Sequence, residues 1–189
     1  TLLGEKLKEL GSNYEKILLL SADAGESLEN TSKLTFTNLI FLSPYRNLLN
    51  KKKIQSNKIL KVESYFENLP LKNEKFDLII SNLCINNIID RKKHLNELFQ
   101  LLKVHGLFIC NFFGENTMYE LRNSLISTDE KLFNGAYNRL PVNLKMVEIS
   151  DLLGQVGFKE LVSEKISYKI YYKNIRKIFE DLRGIGENK

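Results

Sequence analysis

At 189 residues, 43% of them hydrophobic and 27% charged, the chain has the length and composition of one soluble globular domain with enough apolar side chains for a sizeable core. Lys and Arg number 28 against 23 Asp and Glu, a formal charge of +5 that reads as a solvated, Lys-rich surface and gives no ground to expect nucleic-acid binding. No apolar run approaches the roughly 20 residues of a membrane span, and no signal peptide is visible, although a leader removed ahead of Thr1 is compatible with this. Cys84 and Cys110 are flanked by apolar residues and lack CxxC or Cys/His ligand spacing, which argues against a disulfide framework or a metal site. They read as small core residues in a reducing compartment.

In chain order, Leu2–Leu10 predicts a short amphipathic helix broken at Gly11. Lys16–Leu20 predicts a first buried strand, and the loop after it, Ser21–Gly25, falls where a parallel α/β domain usually grips its cofactor. A second strand, Leu39–Leu42, ends at Ser43-Pro44. A helix containing Leu48 and Leu49 then runs into Lys51–Lys53, an exposed end where cations suit the helix C-terminus. Ile59–Val62 predicts a third strand, followed by a loop over Tyr65–Pro70.

The most informative stretch comes next. Leu78, Ile79 and Ile80 form the continuous apolar run of a strand covered on both faces, within Phe76–Asn82. His94, Leu95, Leu98, Phe99, Leu101 and Leu102 recur at helical spacing over about Arg91–Lys103, and Gly106 precedes a second buried strand, Leu107–Phe113. Strand, crossover helix and strand make a right-handed parallel unit. Ligands lie beyond the carboxyl ends of such strands, so Ser81–Asn87 and Gly114–Arg122 are the candidate site loops. Thr117 and Glu120 have capping-box spacing ahead of a helix that runs to about Ile126, an explanation that leaves Tyr119 and Arg122 over.

The polar stretch Ser127–Asn143, with Gly135 and Pro141, is expected to be a substrate-facing lid or an ordinary surface loop. Met146–Val156 predicts a helix stopped by Gly157. Val162, Ile166, Tyr168, Ile170 and Tyr172 alternate as in one or two closing strands, and Asn174–Leu182 predicts a last helix ended by Gly184. The fold class is therefore α/β: a Rossmann-like three-layer αβα sandwich with a mostly parallel sheet and an antiparallel C-terminal strand. His94 and His105 read as packing or surface residues.

FDLIISN, followed by a helix ending LLKVHGLFIC, resembles the fourth and fifth strands of class I S-adenosylmethionine-dependent methyltransferases. GENTMYELR and the terminal EDLRGIGENK are similar, more narrowly, to the branch holding the mitochondrial complex I assembly factor that hydroxylates an arginine, its bacterial relatives, and the malonyl-carrier-protein methyltransferase of biotin synthesis. The likeness covers about residues 16 to 187. It implies one methyltransferase-like domain over residues 1–189, trimmed at one or both ends because relatives continue past the GIGE segment. It also implies methyl transfer or arginine hydroxylation on a protein or carrier-linked substrate, with S-adenosylmethionine as cofactor, in a bacterial cytoplasm or a mitochondrial matrix.

Carried over residue by residue, the resemblance puts cofactor contacts at Ser21, Ala22, Asp23 and Gly25, at Ser43, at Tyr65 and Phe66, and at Asn82 and Leu83. Substrate contacts fall at Asn86, Tyr119 and Arg122, with no catalytic residue assigned and no metal implied. The motif itself is altered. Leu19 stands at the acidic position that closes the first strand, Ser21 and Asp23 stand at the first two glycines of GxGxG, and only Gly25 is kept. Ser43 replaces the ribose-binding acid and Tyr65 the adenine-binding Asp. Three contacts of about 1 kcal/mol each, lost together, weaken binding by roughly two orders of magnitude. Asp23 and Glu26 are expected either to meet the ligand's ammonium group instead or to serve as turn and capping residues. A cofactor-free binding or assembly subunit is the alternative function.

Overall fold

The computed structural model describes residues 2–9, 13–23, 25–49, 56–137, 140 and 143–184. Its centre is built by runs with no polar face: Ile17–Leu20 in β1 (Asn13–Ser21) and Leu78–Ile80 in β4 (Phe76–Asn82) are fully buried. A strand apolar on both sides needs cover on both sides, and successive side chains point to opposite faces. Ile17, Leu19, Leu78 and Ile80, with Leu39 and Phe41 of β2 (Thr35–Ser43), meet Leu7 of α1 (Leu2–Glu9), Leu28 of α2 (Glu26–Thr31) and Leu49 of α3 (Arg46–Leu49). Leu18, Leu20, Ile40, Leu42, Phe76 and Ile79 meet Leu98 of α4 (Arg91–Leu101) on the other face. Helices therefore cover both faces of the sheet, which gives the expected three layers.

With β3 (Ile59–Glu63) and β5 (Leu102–Asn111), the described strands form one five-stranded sheet in the order β3-β2-β1-β4-β5, every pairing parallel. A single 3-10 turn, Ile85–Asn87, follows β4. Beyond β5 lie α5 (Tyr119–Phe133), α6 (Met146–Val156) and α7 (Ile175–Gly184). Ile149 of α6 joins Leu95 of α4, Ile85 and Leu144 in a third apolar cluster, which fixes α6 beside α4.

Several elements differ from their sequence expectation. The six-residue α2 is too short to show periodicity; it buries Ser27, Leu28 and Thr31. Helix α4 stops at Leu101 and β5 starts at once, so Gly106 lies inside the strand rather than before it. There His105 takes a left-handed φ of 63°, and a Cβ on Gly106 would come within 3.1 Å of the Phe76 carbonyl oxygen, so the strand bends where only glycine fits. Thr117 does not cap α5. The residue before the helix is Met118, left-handed at φ 54° and without a side-chain cap, and α5 continues to Phe133, where Asn134 turns left-handed. Helix thus takes up the first half of the expected lid.

The antiparallel C-terminal strand is not formed among the described residues. Residues 161–172 carry no strand, and Val162 is 95% exposed. Alternation supplies two faces but not a hydrogen-bonding neighbour, and among the described residues β4 is the only strand paired to β5. Gly157 (φ 119°) instead closes α6 and sets Phe158 against Phe99 and Phe108, ring centroids 5.0 Å apart in each case. Leu10, Gly11, Ala24, Lys51–Lys53, Pro141 and the GIGE segment after Gly184 lie outside the described residues.

Candidate functional site

The strand order reverses between β1 and β4: β2 and β3 lie on one side, β5 on the other. In an open α/β sheet that reversal opens a crevice at the carboxyl ends of the two strands, the usual ligand position. Here Ser21 and Asn82 are paired in register at its mouth. Both share strand parity with Ile17 and Leu78, so their side chains face the α2 layer.

The β1–α2 turn brings more side chains into the same place. Gly25 takes φ 103°, and nothing lies within 4 Å of where its Cβ would be, so backbone conformation and not space calls for glycine. Asp23, 8% exposed, folds back into the turn. Its Oδ1 accepts the Gly25 N–H at 2.8 Å. Its Oδ2 accepts the Ser27 N–H at 3.1 Å, the Ser27 hydroxyl, and the Asn82 amide at 3.0 Å. Asn82 Nδ2 also donates to Ser21 Oγ at 3.1 Å and to Ser27 Oγ. Ser21 Oγ in turn accepts the Asp23 N–H at 3.2 Å. Ser21, Ser27 and Asn82 are buried, and Ala22 between them is half-buried.

The donor count decides what this cluster can hold. A carboxylate offers about four acceptor positions, and Asp23 meets four donors from its own chain. Three of the four crowd Oδ2 and one occupies Oδ1, so most of the carboxylate's accepting capacity is spent on its own chain before any ligand ammonium arrives. Ser27, the second residue of α2, is absent from the sequence-derived candidates yet central to the cluster; an Asp four residues before a Ser in a helix's first turn, whose carboxylate takes that Ser N–H, is the local signal that could have found it.

The neighbouring strand ends offer no replacement. Ser43 is fully buried, with its Oγ accepting the Tyr45 N–H at 3.4 Å and its carbonyl accepting the Ser64 N–H. Tyr65 is 76% exposed, whereas Phe66 packs on the core beside Leu42 and Leu71. S-adenosylmethionine needs an acceptor for its ammonium and, for its ribose, a pair of acceptors that a lone enclosed hydroxyl does not provide. The residues as folded do not fit it.

At the ends of β4 and β5 the loops are tied together. Leu83 adopts φ 56°, a strained conformation for a branched side chain, and its N–H reaches both the backbone and the side-chain oxygen of Asn111. Asn86, buried, accepts the Phe113 N–H at 2.9 Å and donates to the Phe113 carbonyl at 3.1 Å. Its amide is thus committed to the loop, while Asn87 is exposed. Tyr119, the first residue of α5, is 58% exposed. Arg122 Nη2 donates to Asn143 Oδ1 at 3.3 Å, and Asn143 donates at 2.9 Å to the carbonyls of Glu115 and Thr117.

His94 lies apart from this cluster. Burial pushes its imidazole down to about 4, opposed by the Phe66 backbone and the Glu67 carboxylate. It lines a shallow cavity of about 160 Å³ with Glu67, Asn68, Ile89, Asp90 and Lys93. His105 is exposed at the bend in β5. Among the described residues no group of three or more His, Cys, Asp or Glu is placed to hold a metal ion, and no helix is long and apolar enough to cross a membrane.

The parallel sheet with helices on both faces is the Rossmann-like fold that methyltransferases use. Residues 24–110 match the methyltransferase domain family. The chain is 26% identical over 186 residues to the mitochondrial arginine-hydroxylase NDUFAF5 of Homo sapiens, covering 98% of this chain and 54% of that protein. It is 32% identical over 120 residues to the malonyl-[acyl-carrier protein] O-methyltransferase of Gallionella capsiferriformans, covering 64% of this chain and 39% of that protein. An S-adenosylmethionine dependent methyltransferase from Mesorhizobium loti shares the fold at a TM-score of 0.63 and 15% identity, over 81% of this chain and 79% of that one. The chain is thus similar to class I S-adenosylmethionine-dependent methyltransferases and, among its relatives, to an arginine hydroxylase and a malonyl-carrier-protein methyltransferase. It spans about half or less of the length of these two curated relatives.

Proposed function

We propose that this protein recognises a group carried by a protein, an arginine side chain or a carrier-linked acyl group, presented where β4 and β5 end, in a bacterial cytoplasm or a mitochondrial matrix. The observation that carries the reading is the braced platform there: the Asn86–Phe113 pair and the Arg122–Asn143 contact fix two loops, and Tyr119 stands exposed between the chain and solvent. Similarity to an arginine hydroxylase and to a malonyl-carrier-protein methyltransferase supports the substrate class. A rigid surface with an exposed aromatic suits macromolecular docking.

The test is fluorescence anisotropy with two labelled probes, a malonylated acyl carrier protein and an arginine-rich protein fragment. Saturable binding of one of them, weakened about tenfold or more by Tyr119→Ala, is expected, since an interface aromatic typically contributes above 1 kcal/mol. Binding of neither probe, or binding indifferent to that substitution, contradicts the reading. A second reading, a binding or assembly subunit that performs no chemistry, draws support from the self-satisfied Asp23 carboxylate.

A further inference from the structure

We propose that the switch-point crevice is closed from within, with Asp23 as its internal occupant, and that this chain takes up no S-adenosylmethionine. The closure is a circuit between two strand ends. Asn82 at the end of β4 donates to Ser21 at the end of β1 and to Asp23 and Ser27 beyond it, so a ligand entering between the strands must break bonds on both sides. The Asp23 carboxylate must leave with them, although it holds the Gly25 and Ser27 amides that start α2.

Displacement is unfavourable from either side. Donors released by Asp23 stay unpaired unless the ligand supplies acceptors in the same places; the α-carboxylate of S-adenosylmethionine is an acceptor, but the ammonium beside it is a donor and loses the one buried carboxylate of this turn when Asp23 is displaced. Asp23 in turn is a buried carboxylate, tolerated only because its hydrogen bonds are made. Ser43 compounds the mismatch, since it is enclosed at the end of β2 and already accepts the Tyr45 N–H. Two separate parts of the cofactor thus lack support. The inference does not depend on the proposed partner surface, which lies at the ends of β4 and β5 and is tested with protein probes.

Two measurements test it. Calorimetric titration of the whole chain with S-adenosylmethionine, up to about 1 mM free ligand, is expected to give no saturable heat, and a Kd of about 1 mM or tighter overturns the proposal. Thermal melting of Asp23→Ala, beside Asp23→Asn as the variant that keeps shape and one acceptor, is expected to show Tm lowered by about 3 °C or more, with the Ala variant lower. Melting of both variants at the Tm of the parent chain shows that Asp23 holds nothing closed, and also overturns it.

Discussion

The side-chain amide of Asn82 lies 3.0 Å from the Asp23 carboxylate and joins the end of β4 to the loop after β1 across the point where the strand order reverses. Removing it in Asn82→Ala leaves Ser21, Asp23 and Ser27 short of a buried donor, which is expected to lower stability by about 1–3 kcal/mol in urea unfolding. Asn82→Asp is worse at neutral pH because it sets a second carboxylate against Asp23. Such a pair raises a carboxyl pKa in the folded state, so the folded variant holds more protons than the unfolded chain. Its deficit is full at pH 7 and narrows as pH falls toward about 4. A deficit independent of pH contradicts the arrangement.

His94 makes a prediction of the same kind with the opposite sign. Burial lowers its pKa from 6.5 to about 4, so the unfolded chain binds the proton first. Stability from this group is complete above pH 6.5 and is lost as pH falls toward 4, by about 3 kcal/mol in all. Thermal melting of His94→Leu beside the parent chain is expected to show the acid-side difference vanish in the variant. Equal slopes from pH 6.5 to 4 contradict it.

Gly106 sits in β5 where an added Cβ would lie 2.9 Å from the Lys103 carbonyl oxygen and 3.1 Å from that of Phe76. Backbone on both sides cannot yield as a side chain can. Gly106→Ala is expected to destabilise by about 1–3 kcal/mol in urea unfolding. An unchanged midpoint contradicts this close approach.

The thiols test the core. Cys110 is half-buried, its thiol pKa pushed up to about 12 by burial, and Cys84, just before the 3-10 turn, is buried. A thiol-specific reagent at pH 8 is expected to modify neither in the folded protein and both once it unfolds. Modification of either faster than unfolding contradicts the packing.

How much of this was legible in the sequence depended on range. Phe76–Asn82 and Met146–Val156 match their predicted bounds because a continuous apolar run and a three-to-four periodicity are local signals. The parallel three-layer architecture followed from them. The failures were of pairing and of capping. Residues 161–172 alternate like a strand, yet a strand exists only with a neighbour, which no local pattern supplies. Thr117 and Glu120 have capping spacing, but the left-handed turn at Met118 starts α5 after them. At the site, sequence reasoning named Ser21, Asp23 and Asn82 as positions, yet their mutual bonds depend on the β1–β4 register, and Ser27 emerged only once the turn at Gly25 was seen.

The central claim is that Asp23 and Asn82 keep the switch point closed against S-adenosylmethionine. Amide hydrogen exchange of the whole chain, followed residue by residue with and without about 1 mM S-adenosylmethionine, tests it most directly, because a bound ligand slows exchange where it stabilises the fold. The account predicts identical exchange in both conditions at Asp23, Gly25, Ser27 and Leu83. Slowed exchange at these amides on adding the cofactor would contradict it.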